Sequence, residues 1–146
     1  MDAFIEGYLN QGKIMGVAIY KGEQHIASRL WAVDRSSADY LQVNPPSVLP
    51  IIDQPQGATY LQQNGVNLNK YRMRYVKSDN DESLQCNIVI LAGKNDPKVP
   101  DQPAGAFVYV TPNKSQIVVA YGPGQSNGPA GIEATKIVEA LIGSGY

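Results

Sequence analysis

Amphipathic segments at the two ends of the chain bracket a long stretch of strand-like pattern, and this arrangement narrows the available folds more than any other feature. In the C-terminal segment Ala134, Ile137, Val138 and Leu141 recur at helical spacing, while Glu133, Lys136 and Ala140 fall elsewhere on the wheel. Gly143 and Gly145 stop that helix. At the other end Asp2 is placed to cap a short helix whose Phe4, Ile5, Tyr8 and Leu9 form one apolar stripe, closed by Gly12. Both end segments are therefore structural elements, and each needs an apolar surface to cover.

That surface is a meander of strands. Ile14 to Tyr20 and Ile26 to Val33 flank the turn Lys21-Gly22-Glu23-Gln24 and read as a first hairpin. Asn44-Pro45-Pro46-Ser47 reads as a cap with prolines in a first helical turn, so Val48 to Ile52 is expected as a short helix bounded by Pro50 and Pro55. Ala58 to Gln63 reads as a strand ending at the turn pair Asn64-Gly65, and Lys70 to Lys77 resumes the strand pattern. Ser78 to Ser83 reads as a polar turn, and Gln85 to Ala92 as a nearly continuous apolar strand. Residues 95–103 carry three prolines and no hydrophobic period, which predicts a long exposed loop. Phe107 to Thr111 and Gln116 to Tyr121 form a last hairpin around Pro112-Asn113-Lys114. The expected class is α+β, an antiparallel sheet with the two terminal helices packed side by side on one face. Gly16 and Ala18 are small enough to let those helices approach the first strand.

At 146 residues the chain holds one domain, spanning 1–146, with a single substantial core. Its formal charge of −1 argues against a nucleic-acid binder that relies on bulk charge. The one cysteine, Cys86, excludes a disulfide framework and reads as a small core residue of an intracellular protein. No apolar run is long enough to span a membrane, and the residues after Met1 do not resemble a signal peptide. The sequon Asn113-Lys114-Ser115 reads as a turn.

Catalytic constellations are missing. His25, the single histidine, sits in an expected hairpin and reads as a surface residue. The glycine-rich stretch Gly122 to Gly128 links a strand to a helix, but its spacing does not match a dinucleotide fingerprint, so it reads as a tight turn. The acidic group Asp79, Asp81 and Glu82 reads as a solvated turn. The expectation is a binding protein with no cofactor and no metal.

Two features point to partners. In the run from Lys70 to Tyr75, strand alternation puts Lys70, Arg72 and Arg74 on one face and Tyr71, Met73 and Tyr75 on the other. Three like charges on one face are either solvated or matched by an acidic protein or an anionic lipid headgroup. The aromatics Phe4, Trp31 and Tyr146 come from three elements that neighbour one another in the expected architecture. They form either core or an exposed platform for stacking on proline rings.

In order and spacing the chain resembles the profilins over nearly its whole length. Asp2-Ala3-Phe4-Ile5-Glu6 is similar to that family's N-terminal helix motif, Met15 to Gly22 to its first strand, and Ser28-Arg29-Leu30-Trp31-Ala32 to its tryptophan-bearing second strand. Val43 to Val48 resembles the start of its middle helix, Gln63-Asn64-Gly65 with Lys70-Tyr71 resembles its strand, turn and lysine, and the helix running to Tyr146 completes the register.

The resemblance implies a cytoplasmic, cytoskeletal protein that binds monomeric actin, proline-rich segments of actin regulators, and phosphoinositides. It implies an actin face at Lys70, Arg72, Arg74, Gln125, Ser126, Gly128, Ile132, Thr135 and Lys136. It implies a poly-proline site at Met1, Phe4, Trp31, Ala140 and Tyr146. Here the chain departs from the family: an N-terminal tryptophan aligns with Met1, a histidine of the last helix with Ala140, and basic residues of the next strand with Val89 and Leu91. The loop at 95–103 is also longer than in most members. The expectation is a divergent member with a reduced proline site. The alternative is a profilin-fold module that has lost actin and binds another protein or a phosphoinositide lipid.

Overall fold

The structure, a computed structural model, describes residues 1–30, 40–48, 51 and 57–146, with Asp2 described by its backbone alone. Trp31 and the expected helical positions 49, 50 and 52 lie outside the described residues. The described elements are α1 (Asp2–Leu9), β1 (Gly16–Lys21), β2 (Gln24–Leu30), β3 (Val43–Asn44), α2 (Gly57–Asn64), β4 (Val66–Leu68), β5 (Tyr71–Asp81), β6 (Cys86–Ala92), β7 (Gly105–Val110), β8 (Ser115–Tyr121) and α3 (Asn127–Gly143).

The strands form one antiparallel sheet in the order β2-β1-β8-β7-β6-β5-β4-β3. Both faces are covered, which is why β1 and β8 read as almost unbroken apolar runs and are buried along nearly their whole length. On the first face α1 and α3 deliver Ile5, Leu9, Ala130, Ala134, Ile137, Val138 and Leu141 onto Val17, Ile19, Ile117 and Val119. On the second face Leu61 of α2, with Leu41, Val43 and Val48, covers Ala18, Met73, Leu91, Val108 and Val118. Burying one Leu or Ile side chain stabilises by about 1.5–3 kcal/mol, so each face carries a core of its own.

Several sequence expectations change. Residues 58–63 lie in α2 and not in a strand, and Gly65 is the left-handed stop of that helix, at φ +65°, with its N–H on the Leu61 carbonyl at 2.7 Å. A Cβ at Gly65 would also sit 2.3 Å from the Met73 carbonyl oxygen, so only glycine fits. Pro45 and Pro46 belong to no helical turn: Val43–Asn44 pairs with β4, and the Asn44–Pro45 bond is cis. Of the expected short helix, Ile51 is helical, with its N–H on the Val48 carbonyl at 3.0 Å. β5 runs through the expected polar turn to Asp81, and the chain reverses over 82–85 instead. Asp2 is the first residue of α1, and Met1 takes the capping position. Gly16 and Ala18 face the second core, where a Cβ at Gly16 would press on Leu30 and Leu41; Val17 and Ile19 are the residues beneath the terminal helices.

A buried side chain ties the 40–48 segment to the sheet. Gln116 is almost wholly enclosed, and its amide donates to the Pro46 carbonyl at 2.9 Å and accepts from the Val48 N–H at 2.8 Å. Both halves of the amide are satisfied, so its burial carries no desolvation penalty left unanswered. Cys86 is buried, and burial first and the Asp81 charge second push its thiol up to about 11, which leaves it protonated and inert at neutral pH.

The loop at 95–103 is less free than its composition suggests. Lys94, Asn95, Pro97 and Lys98 are exposed, but Pro103 is buried, Asp101 lies 4.0 Å from Lys70, and the Asn95 carboxamide accepts from the Gly124 N–H at 3.3 Å. Replacing residues 95–103 by a short Gly-Ser turn is expected to lower the melting temperature by several degrees, measured by circular dichroism. The reason is the loss of the buried proline, worth about 1–2 kcal/mol.

Candidate functional site

A partly open apolar strip lies on the first face, beside α3 and not under it. From β6 inward, Ile88, Ile90 and Ala92 alternate with the buried Val89 and Leu91, and they continue into Phe107 on β7 and Tyr121 on β8. All five are half-buried, and the Phe107 and Tyr121 rings meet at 5.9 Å. Tyr121 lies over Gly105, where a Cβ would stand 2.1 Å from its hydroxyl, so glycine at 105 lets this ring lie down on the sheet. Burial holds the Tyr121 phenol above its ordinary value, so it stays neutral.

Basic residues edge this strip on one side and α3 on the other. Arg72 and Arg74 project from β5 on the same face, with Arg74 opposite Ala92. A bulge at Val76 resets the alternation, so Lys77, opposite Ile90, joins them. The expected stripe is thus present, but its members differ. Lys70 lies over the Tyr71 ring at 5.2 Å and near Asp101, and Arg72 donates to the Gln63 carbonyl. Arg74 and Lys77 have no partner among the described residues. Along α3, Ile132 is 60% exposed and Thr135 is half-buried, its hydroxyl donating to the Gly131 carbonyl at 3.0 Å and lying 3.4 Å from the Tyr109 hydroxyl.

A second surface joins α1 to the end of α3. Phe4 and Tyr8, four residues apart on α1, meet edge to face at 5.2 Å and pack half-buried on the core that Ile142 and Tyr146 also cover. Tyr146 is held by its N–H on the Leu141 carbonyl at 3.0 Å, and the Asn113 amide donates to its carbonyl at 3.4 Å.

No protein-family model matches the chain, and no curated protein sequence does. Solved structures do. Acanthamoeba castellanii profilin IB superposes with a TM-score of 0.67 at 16% identity, over 99% of this chain and 98% of that one. Rat profilin 2a gives 0.60 at 16% identity over 99% and 95%. Acanthamoeba castellanii profilin II gives 0.59 at 18% over 94% and 92%. The fold is that of the profilins.

Within this profilin fold the residues that the sequence resemblance singles out separate into groups. Arg72, Arg74, Ile132 and Thr135 border one continuous surface, and Lys70 stands at its end. Ser126 and Gly128 are exposed at the start of α3. Gln125 is a brace: its carbonyl accepts from the Gly122 N–H at 2.7 Å and its amide donates to the Gly12 carbonyl at 2.8 Å, which fixes the strand-to-helix turn against the end of the α1 loop. Lys136 is half engaged, 3.3 Å from Glu133. Val89 and Leu91 are buried in the second core, so the positions of β6 that look onto the surface are Ile88 and Ile90. In the aromatic site Met1 is 45% exposed, Ala140 is exposed, Phe4 and Tyr146 are half-buried, and Trp31 lies outside the described residues. The sequence resemblance does not place Tyr8 in the aromatic site, although it shares the apolar stripe with Phe4 at i, i+4, nor does it place Ile90, Phe107 and Tyr121, which strand alternation groups, on the actin face.

Glu133 also departs from expectation. It belongs to the buried side of α3 and not to its polar side, with an accessibility of 0%. Its Oε1 is shared by Lys13 at 3.2 Å and Lys136 at 3.3 Å, and its Oε2 has no hydrogen-bond partner. Two ammonium groups on one oxygen answer the charge that burial would otherwise make costly. They fasten α3 to the segment before β1.

Among the described residues no helix is long and apolar enough to cross a membrane, and no group of side chains is suited to holding a metal ion.

Proposed function

We propose that this protein binds monomeric actin and thereby regulates filament assembly in the cytoplasm and cytoskeleton, acting by association and not by catalysis. The observation that carries the reading is the half-exposed strip Ile88, Ile90, Phe107 and Tyr121, set between the cations of β5 and the exposed Ile132 of α3 in a profilin fold. An apolar centre that expels water, bordered by unpaired Arg74 and Lys77, fits a partner whose own surface is apolar at the middle and acidic at one side. The same cations supply the charge for phosphoinositide headgroups. In a pyrene-actin assembly assay the protein is expected to slow spontaneous filament formation at concentrations near that of actin. An unchanged time course would overturn the reading. The aliphatic Ile88 and Ile90 favour the alternative, a profilin-fold module for a different protein, and capture on immobilised monomeric actin separates the two.

A proline-rich ligand would stack on Phe4, Tyr8 and Tyr146, and the resemblance adds Trp31 to this site. Met1 and Ala140 offer neither a ring nor a hydrogen-bond donor from their side chains, and each missing stacking contact is worth about 0.5–1.5 kcal/mol. The dissociation constant for poly-proline is accordingly expected to be weaker by roughly ten-fold or more than for a complete site. Trp31 fluorescence followed through a poly-proline titration measures it, and saturation at low ligand concentration would contradict the expectation.

A further inference from the structure

We propose that the cleft on the second face of the sheet is a binding site for a flat heterocyclic small molecule of the purine nucleoside type. The cleft encloses about 610 Å³, within the range of ligand sites, and opens between β1, β2 and the 40–48 segment, on the face of the sheet away from α1 and α3. Three rings follow one another along it: Tyr20 meets His25 at 5.3 Å, and His25 meets Tyr40 at 5.8 Å. They are tilted by 66° and 50°, so no ring lies flat against the next, and with Tyr20 buried it is the exposed His25 and Tyr40 that leave aromatic surface for a planar ligand to cover.

Polar groups at the rim select the kind of ring. Gln42 and Asn44 are both exposed, two residues apart on either side of the buried Val43, and their side-chain amides have no partner among the described residues. A carboxamide presents a donor and an acceptor side by side, which is the complement of an adenine edge. Among the described residues no carboxylate lines the cleft. The guanidinium of Arg29 donates to the Ser28 carbonyl at 3.0 Å and lies 3.8 Å from Glu6, so its charge is already answered and a neutral ligand suits the site.

The wall is also held in place before any ligand arrives. Asn69 accepts from the Gln42 N–H at 2.8 Å and donates to the Tyr40 carbonyl at 3.4 Å, the Tyr20 hydroxyl accepts from the Val43 N–H at 3.1 Å, and Gln116 holds Pro46 and Val48. A site fixed by so many backbone anchors loses little entropy on binding.

Titration of the full chain with adenosine, followed by amide and imidazole NMR shifts, tests the assignment. Saturable shifts are expected at His25, Tyr40 and residues 42–44, with indole, which has the flat ring but not the paired donor and acceptor, binding roughly ten-fold or more weakly. Tyr40→Ala and Gln42→Met replace exposed side chains and should each weaken adenosine by about ten-fold with the remaining spectrum unchanged. Equal affinity for indole and adenosine, shifts confined to another surface, unchanged binding in both variants, or no saturable shift up to the solubility limit of adenosine would each overturn the proposal. Tighter binding of an adenine oligonucleotide than of adenosine would overturn it as well, since it would make the site part of a nucleic-acid surface.

Discussion

The double substitution Arg74→Glu and Ile132→Asp is expected to abolish measurable binding to monomeric actin, with an affinity loss of about 100-fold or more. The two residues stand on opposite borders of the apolar strip, Arg74 on β5 and Ile132 on α3. Truncating or reversing an anchor at such a position costs roughly 2 kcal/mol or more, and placing a carboxylate against an acidic partner adds repulsion. Both side chains are exposed and neither closes a core, so the melting temperature should stay within a degree or two. Fluorescence anisotropy with labelled monomeric actin, alongside circular dichroism of the variant, separates loss of the surface from loss of the fold. Unchanged affinity would overturn the assignment of the actin face to this strip. Arg72 is less suited to this test, because its guanidinium bonds the Gln63 carbonyl and its replacement would disturb the end of α2.

The second large effect concerns stability. Replacing Lys13 and Lys136 together by Met leaves the Glu133 carboxylate enclosed with neither of its ion-pair partners. Breaking a fully buried pair from one side costs about 3–5 kcal/mol. Here both ammonium groups are half-exposed, so solvent offsets part of that, and about 2 kcal/mol is the expected loss. For a domain of this size that corresponds to a fall in melting temperature of about 4–8 °C. Adding Glu133→Gln to the double variant removes the stranded charge and should recover much of the loss. A triple variant as unstable as the double one would mean that the lysine stems, and not the charges, hold α3 in place.

The resemblance and the strand pattern together make the α+β architecture legible in the sequence. Helical spacing at Ala134, Ile137, Val138 and Leu141, and the apolar stripe of Phe4, Ile5, Tyr8 and Leu9, marked the terminal helices because each has one covered face and one wet face. The alternation from Lys70 to Tyr75 placed Arg72 and Arg74 on the open face for the same reason, and the burial of Met73 and Tyr75 follows it.

What the sequence left open were the places where a local signal has two meanings. Residues 58–63 followed by Asn64-Gly65 suit a strand with a hairpin turn or a short helix with a glycine stop, since both endings need a left-handed residue at low cost. Leu61, filling the second core, decides for the helix. β6 is apolar on both faces, so its residues alone do not say which face Val89 and Ile90 take; pairing with β5 across the Val76 bulge decides that. Glu133 reads as off the apolar stripe because of its charge, although it stands only one turn from Ile137. Only the chain's return brings Lys13, 120 positions earlier in sequence, within 3.2 Å of it, and a charge can be buried there because the partner that answers it comes from another part of the fold. Composition, periodicity and motif order determined the two terminal helices, the strands β1, β2, β5, β6, β7 and β8, and the alternation from Lys70 to Tyr75. Tertiary structure decided which half-buried residues share a surface, because that depends on register and on long-range pairing that no local window contains.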